Sequence, residues 1–375
     1  MRKRLIVCLL AALLLLAGCT KPELPPLPTI TPKPTTAPAP AVKEEIKTAD
    51  AEPADVSEPE PTPEPTPEPT PEPTPRPLHP LEINEYFIDM DFFEPAEEQG
   101  TLTSVEYATT EYASGEPVTK QLSVYLPYGY DESKQYNVMF LLHTSFGNEN
   151  TWLVNAHEYQ FADTLEYVSA KSMIDNMIQL GYCEPLIVIA PSGYINEAAP
   201  YVHNSARDYE QFDYEFSQDI MPFVAEHYAT YAQDGSHEAL VDAREHFGIL
   251  GASFGAYMNY ISIFATHMDL AANYAFVGGG ALDYGYLYER WASRGFLDYP
   301  IHCLYIIEGE VDDRFGPESS YLTLRGYATD FFSDDNLHFS IIYGAGHEPR
   351  SWVNGLFNSL QIFFRDEPYP IPYGA

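Results

Sequence analysis

The sequence predicts an α/β fold, a mostly parallel sheet with helices on both faces, on three observations. Short apolar runs rich in Val, Ile, Leu and Tyr recur after residue 80, separated by longer segments with helical spacing. Such alternation points to parallel strands joined by crossover helices. One run passes through a Gly-x-Ser-x-Gly string into a helical segment, a junction that seats a serine at the carboxyl end of a strand. Proline is skewed, with 20 of the 33 in the first 80 positions, which separates an extended arm from a folded body at 81–375. At 45% hydrophobic the chain is too apolar to be wholly disordered.

The arm reads in two parts. Arg2, Lys3 and Arg4 precede an apolar stretch from Leu5 to Leu16, too short to span a bilayer comfortably, so residues 1–19 read as a signal peptide. The stretch ends in Leu16-Ala17-Gly18-Cys19, which resembles the lipobox of bacterial lipoproteins and implies lipidation of Cys19 and a membrane anchor on the extracytoplasmic face. Residues 20–80 are rich in Pro, Thr and Glu, with a repeated Pro-Glu-Pro-Thr, and bury too little apolar surface to offset their ordering entropy. A polyproline spacer of that length reaches on the order of 180 Å, enough to hold a domain clear of a membrane.

The body carries 11 Lys and Arg against 44 Asp and Glu. So negative a surface repels phosphate backbones, which excludes nucleic acid as a partner. Strands are expected at 121–126, 138–143, 186–191, 247–252, 274–278, 303–308 and 339–343, and helices at 212–228, 256–266 and 352–364.

The chemistry centres on Gly251-Ala252-Ser253-Phe254-Gly255. This is the nucleophile elbow in its strand-turn-helix context, with glycines where side chains would crowd a strained turn. A base and an orienter should follow in the order Asp, His. His347 lies in a Gly-Ala-Gly-His string after the last expected strand, and Asp312 follows the strand before it, with Asp313 a rival. A calcium site from Glu308, Glu310, Asp312 and Asp313 is an alternative, although the spacing matches no known calcium loop.

On these residues the body resembles the first family of carbohydrate esterases, which includes feruloyl and acetylxylan esterases within the α/β-hydrolase superfamily. The matching stretches are 124–130, Phe140-Leu141-Leu142-His143, 185–191, 251–255, 309–312 and Gly346-His347 with Trp352 following. The resemblance implies Ser253 as nucleophile, Asp312 as orienter and His347 as base, with the backbone N–H groups of Ser145 and Phe254 as oxyanion hole. Where that family has glycine after the Leu-Leu-His run, this sequence has Thr144, which is expected to narrow the site or shift its loop.

Trp152, Tyr194, Tyr201 and Tyr257 are candidates for stacking on a sugar or a phenolic acyl group. Gly278-Gly279-Gly280 lacks the following residues of a phosphate loop, and no His/Cys cluster has metal-ligand spacing, so neither cofactor nor metal is expected. Cys183 and Cys303 should be free thiols, because the strand order of the resembled fold sets them roughly 19 Å apart. The expectation is a cell-surface serine esterase acting on acetyl or feruloyl esters of plant cell-wall polysaccharide. Alternatives are an ester hydrolase or acyltransferase working on the producer's own envelope, and a non-catalytic glycan-binding protein.

Overall fold

Strands in this chain read as continuous apolar runs because the sheet is buried on both faces. Along β7 (Phe247–Ala252), Phe247 and Ile249 join one core cluster while Leu250 and Ala252 join the other. β3 (Asn137–Leu142), β8 (Asn273–Val277) and β9 (Cys303–Gly309) divide their side chains the same way, with Tyr274 and Phe276 on one face and Ala275 and Val277 on the other. The computed structural model describes residues 78–194, 212–279, 282–314 and 316–365. Cys19, most of the proline-rich arm and Tyr201 lie outside the described residues.

Eight strands form the main sheet in the order β1-β2-β6-β3-β7-β8-β9-β10. β1 (Thr101–Glu111) and β2 (Glu116–Leu126) pair antiparallel, β2 meets β6 (Leu186–Pro191) antiparallel, and every later pairing through β10 (Leu337–Ile342) is parallel. This is the α/β-hydrolase sheet, with one hairpin, β4 (His157–Phe161) and β5 (Thr164–Val168), standing outside it.

Helices cover both faces. α1 (Ala170–Leu180) and α7 (Pro349–Ile362) bury Met173, Met177, Val353 and Leu356 on one side. The opposite side receives α2 (Met221–His227), α4 (Phe254–Met258), α5 (Tyr284–Arg294) and α6 (Pro317–Tyr327), while α3 (His237–Asp242) adds Leu240. Local signals set the ends of α1: Ser169 accepts from the N–H of Ser172, a cap worth about 1 kcal/mol, and Gly181 at φ 81° closes the helix. Two expected helices contain π segments, at Phe216–Ile220 and Asn259–Phe264. The second points Asn259 inward, where its amide donates to the carbonyls of Ile249 and Ala275 at 3.2 and 3.3 Å.

Contacts with the body include residues before the expected boundary at 81. His79 stacks on Tyr182 and its N–H donates to the carbonyl of Gly181 at 2.7 Å. Cys183 and Cys303 are both free and buried, with three strands between β6 and β9. Burial pushes the Cys183 thiol up to about 12. Among the described residues no helix is long and apolar enough to cross a membrane.

Candidate active site

The turn at Ser253 is built by exclusion. β7 ends at Ala252 and α4 begins at Phe254, so Ser253 must reverse the chain alone, and it does so at φ 54° and ψ −114°. A conformation of this kind costs a non-glycine residue about 1–3 kcal/mol. It survives because the surroundings allow nothing else. A Cβ on Gly251 would lie 2.1 Å from the carbonyl oxygen of Gly255, and one on Gly255 would lie 2.3 Å from that of Leu142. The Ser253 N–H is held by the carbonyl of Val277 on the neighbouring strand at 2.8 Å.

Two further strand ends supply the partners. His347 follows β10, and its Nε2 lies 2.8 Å from Ser253 Oγ. Asp312 follows β9, and its Oδ2 lies 2.7 Å from His347 Nδ1. An ionised carboxylate only accepts, so Nδ1–H donates to Asp312 and Nε2 is left to accept from the serine hydroxyl. The Asp312 side chain is 1% exposed, and its other oxygen accepts from the Arg314 N–H at 3.2 Å. Asp313 is exposed and makes no such contact with the imidazole.

Gly278 shows why the glycine run sits where it does. It adopts φ +56°, and a Cβ there would lie 3.2 Å from Asp312 Oδ2, 3.4 Å from His347 Nδ1 and 3.5 Å from Trp352 Nε1. Any side chain would press on the Asp312–His347 bond. Trp352 meets the His347 ring edge-on at 5.7 Å. Nearby, burial foremost, with the charges of Glu318 and Asp312 adding to it, pushes the Glu308 carboxyl up to about 7.

The loop after β3 packs directly on the elbow through Gly255. Its turn is closed by the Gly147 N–H donating to the carbonyl of Thr144 at 3.0 Å, and the exposed Ser145 lies within it. The left-handed residue of this turn is Phe146 at φ 65°, so the backbone does not need a glycine at 144.

A buried polar network supports that loop, and sequence reasoning missed most of it. His143 is fully buried; Nε2 accepts from the Gly193 N–H at 2.9 Å, and Nδ1–H donates to the carbonyl of Thr144 at 2.8 Å. Burial pushes its pKa down to about 4, which keeps the ring neutral. Beneath Gly193, Lys120 Nζ donates to the carbonyl of Ser192 at 2.8 Å and pairs with Glu215 at 2.6 Å, both side chains 2% exposed. Tyr107 OH donates to the same Glu215 oxygen.

The candidate aromatics separate. Trp152 is 1% exposed and its indole N–H donates to the carbonyl of Leu142 at 3.0 Å. It is a core residue and cannot stack on a substrate, which corrects the expectation. Tyr194 is likewise buried at 6%. Its hydroxyl accepts from the Phe146 N–H at 3.1 Å and its ring stacks on Phe254 at 5.9 Å, so it braces the loop rather than offering a platform. Tyr257, on α4 four residues after Ser253, is 42% exposed. The carboxylates of the alternative calcium site face different partners: Glu310 accepts from the Gly344 N–H, Glu308 from the Glu318 N–H, and Asp312 from the imidazole. Among the described residues no group of three or more His, Cys, Asp or Glu side chains is placed to hold a metal.

No protein-family model matches the chain. Endo-1,4-beta-xylanase Y of Acetivibrio thermocellus is 27% identical over 260 residues, covering 66% of this chain and 22% of that protein. The chain therefore spans about a fifth of that curated relative's length. Among solved structures, a feruloyl esterase module from Clostridium thermocellum in complex with sinapinate superposes with a TM-score of 0.59 at 23% identity, covering 79% of this chain and 99% of that one. A ferulic acid esterase of the first carbohydrate esterase family from the anaerobic fungus Anaeromyces mucronatus gives 0.55 at 22% identity, over 76% and 98%. The fold of this chain is the fold of those esterases.

Proposed function

We propose that this chain is a serine esterase that cleaves acetyl or feruloyl esters on plant cell-wall polysaccharide, carried on a lipid-anchored stalk outside the cell. The observation that carries the reading is the unbroken hydrogen-bonded line from Ser253 Oγ through His347 to the buried Asp312. Its support from relatives is the fold shared with feruloyl esterases and the sequence shared with part of a xylanase.

The chemistry follows from the protonation states. His347 Nε2 accepts the serine proton as Oγ attacks the ester carbonyl, and Asp312 stabilises the imidazolium through Nδ1–H. The N–H groups of Phe254 and Ser145 are the assigned donors to the tetrahedral oxyanion. The imidazolium then protonates the leaving alcohol, and water repeats the sequence on the acyl-enzyme. An inserted lipid and a proline-rich spacer suit an insoluble polymer that cannot diffuse to the enzyme.

The test is release of hydroxycinnamate from its methyl ester and of acetate from acetylated xylan by the full chain. Ser253→Ala and His347→Ala should each lower kcat by on the order of 10⁴-fold or more. Full activity in Ser253→Ala would discard the mechanism.

A further inference from the structure

We infer that the cavity between residues 282–285 and α6 is the subsite for the sugar of the substrate, a neutral pyranose oligosaccharide; the inference rests on the esterase reading above. The cavity measures about 650 Å³ and is lined by Leu282, Asp283, Tyr284, Ser319, Thr323 and Tyr327 among others. That volume falls within the roughly 300–1,000 Å³ of small-ligand sites.

Position is the first argument. One wall leaves the loop after β8, which packs on Ser253, and the other leaves the loop that holds Asp312. Gly279, whose added Cβ would lie 2.7 Å from the carbonyl oxygen of Ser253, precedes Leu282 by three residues. Gly316 follows Asp312 by four. An extended chain spans at most about 3.6 Å per residue, so the walls begin within about 11 and 14 Å of catalytic-loop backbone. A second cavity, around Tyr136 and Pro185, adjoins the starts of β3 and β6 and so lies at the opposite end of the sheet from Ser253.

Chemistry is the second argument. The lining includes two tyrosines, three hydroxyl side chains and one carboxylate, with no Lys, Arg or His. A phosphorylated or carboxylated ligand would meet Asp283 with no compensating cation, inside a strongly acidic body. A wholly apolar ligand would strand the hydroxyl of Ser319 without water, while that of Thr323 donates to the carbonyl of Ser319 at 2.7 Å. A neutral sugar satisfies both, with C–H faces against Tyr284 and Tyr327 and hydroxyls donating to Asp283. The walls are also fixed before any ligand arrives. Ser320 Oγ accepts from the Leu282 N–H at 2.9 Å, tying the two together, and Asp283 accepts from the Tyr286 N–H at 2.7 Å.

The experiment is titration of the full chain carrying Ser253→Ala with xylotriose and, as the envelope-type glycan, chitotriose, followed by NMR. The same titrations are repeated with Tyr327→Ala or Thr323→Val added. Tyr327 is 77% exposed, so its truncation leaves the fold intact. Binding of either sugar, weakened about tenfold by Tyr327→Ala, supports the subsite; that factor is the upper end of what one aromatic contact supplies. Preference for chitotriose keeps the subsite and moves the substrate to the envelope. In turnover with the native serine, Tyr327→Ala should raise KM for a feruloylated xylo-oligosaccharide far more than for methyl ferulate, with kcat little changed. No binding of either sugar, or binding that both added substitutions leave untouched, overturns the proposal. Absence of any ester turnover by the parent would sink the esterase reading while the titration still decides the subsite.

Discussion

Acidification should destabilise this protein through His143, by an amount that can be worked from its geometry. The ring is enclosed, and Nε2 must stay unprotonated to accept from the Gly193 N–H. Protonation would set one N–H against another. Burial therefore holds the folded-state pKa at about 4 against the ordinary histidine value of about 6.5. The unfolded chain takes up the proton first, so the stability contributed by the neutral ring is present above about pH 6.5 and is lost as pH falls toward about 4. At about pH 5 the linkage costs about 2 kcal/mol, of about 3 kcal/mol in full. His267 and His338, each also pushed down to about 4 by burial, act in the same direction. Glu308 acts oppositely, since a carboxyl raised to about 7 favours the fold when protonated and loses that contribution as pH rises through that value. The parent's total pH slope thus mixes several groups, and a single-site difference isolates one. Urea unfolding should be measured near pH 7.5 and pH 5 for the parent and for His143→Gln, whose carbonyl can still accept from Gly193. The substitution should shrink the loss on acidification by about 2 kcal/mol, whatever it does to stability at the higher pH. Equal losses in the two proteins would mean that the ring is charged or hydrated in the fold, and the account of the loop after β3 would fall.

Other outcomes follow from the same structure. Asp312→Asn should lower kcat by on the order of 10³- to 10⁴-fold and Asp313→Asn hardly at all; the reverse pattern in ester turnover would move the orienter by one residue. Gly255→Ala places a methyl 2.3 Å from the carbonyl oxygen of Leu142, so activity should vanish together with a lowered Tm, and an active, stable variant would contradict the elbow. Cys183 and Cys303 should ignore a thiol reagent in the native protein and react fully in denaturant, because burial raises both thiols. Cys19→Ala should abolish metabolic labelling by palmitate and detergent partitioning; unchanged labelling would refute the lipobox.

The parallel strands were legible because burial on both faces leaves an apolar run in one dimension; β6 and β7 fall at the expected residues, 186–191 and 247–252. β1 was not, since it lies on the edge of the sheet, with only Tyr107 and Thr109 buried. The β4–β5 hairpin escaped for the same reason, with exposed residues at Leu165, Glu166 and Tyr167. The candidate residues Ser253, Asp312 and His347 stood out because each follows a strand and has glycines near it in sequence. Trp152 and Tyr194 were misjudged because an aromatic near a strand end is equally able to point inward, and only the depth of the packed loop decides. Lys120 was invisible as a functional support, since its partner Glu215 is remote in sequence and they meet only in the closed sheet.

The three reacting groups are dealt out over the carboxyl ends of β7, β9 and β10, and β10 is the sheet's far edge strand. Competence on the proposed reading consequently depends on the edge strand. A chain that has paired β3, β7 and β8 already owns its strained serine, but the base arrives only when residues 337–342 add themselves to β9. Until then the serine is a plain alcohol. On the proposed esterase reading, ester turnover would require closure of the last parallel edge, and a refolding experiment followed by activity would register the pairing of β10 with β9.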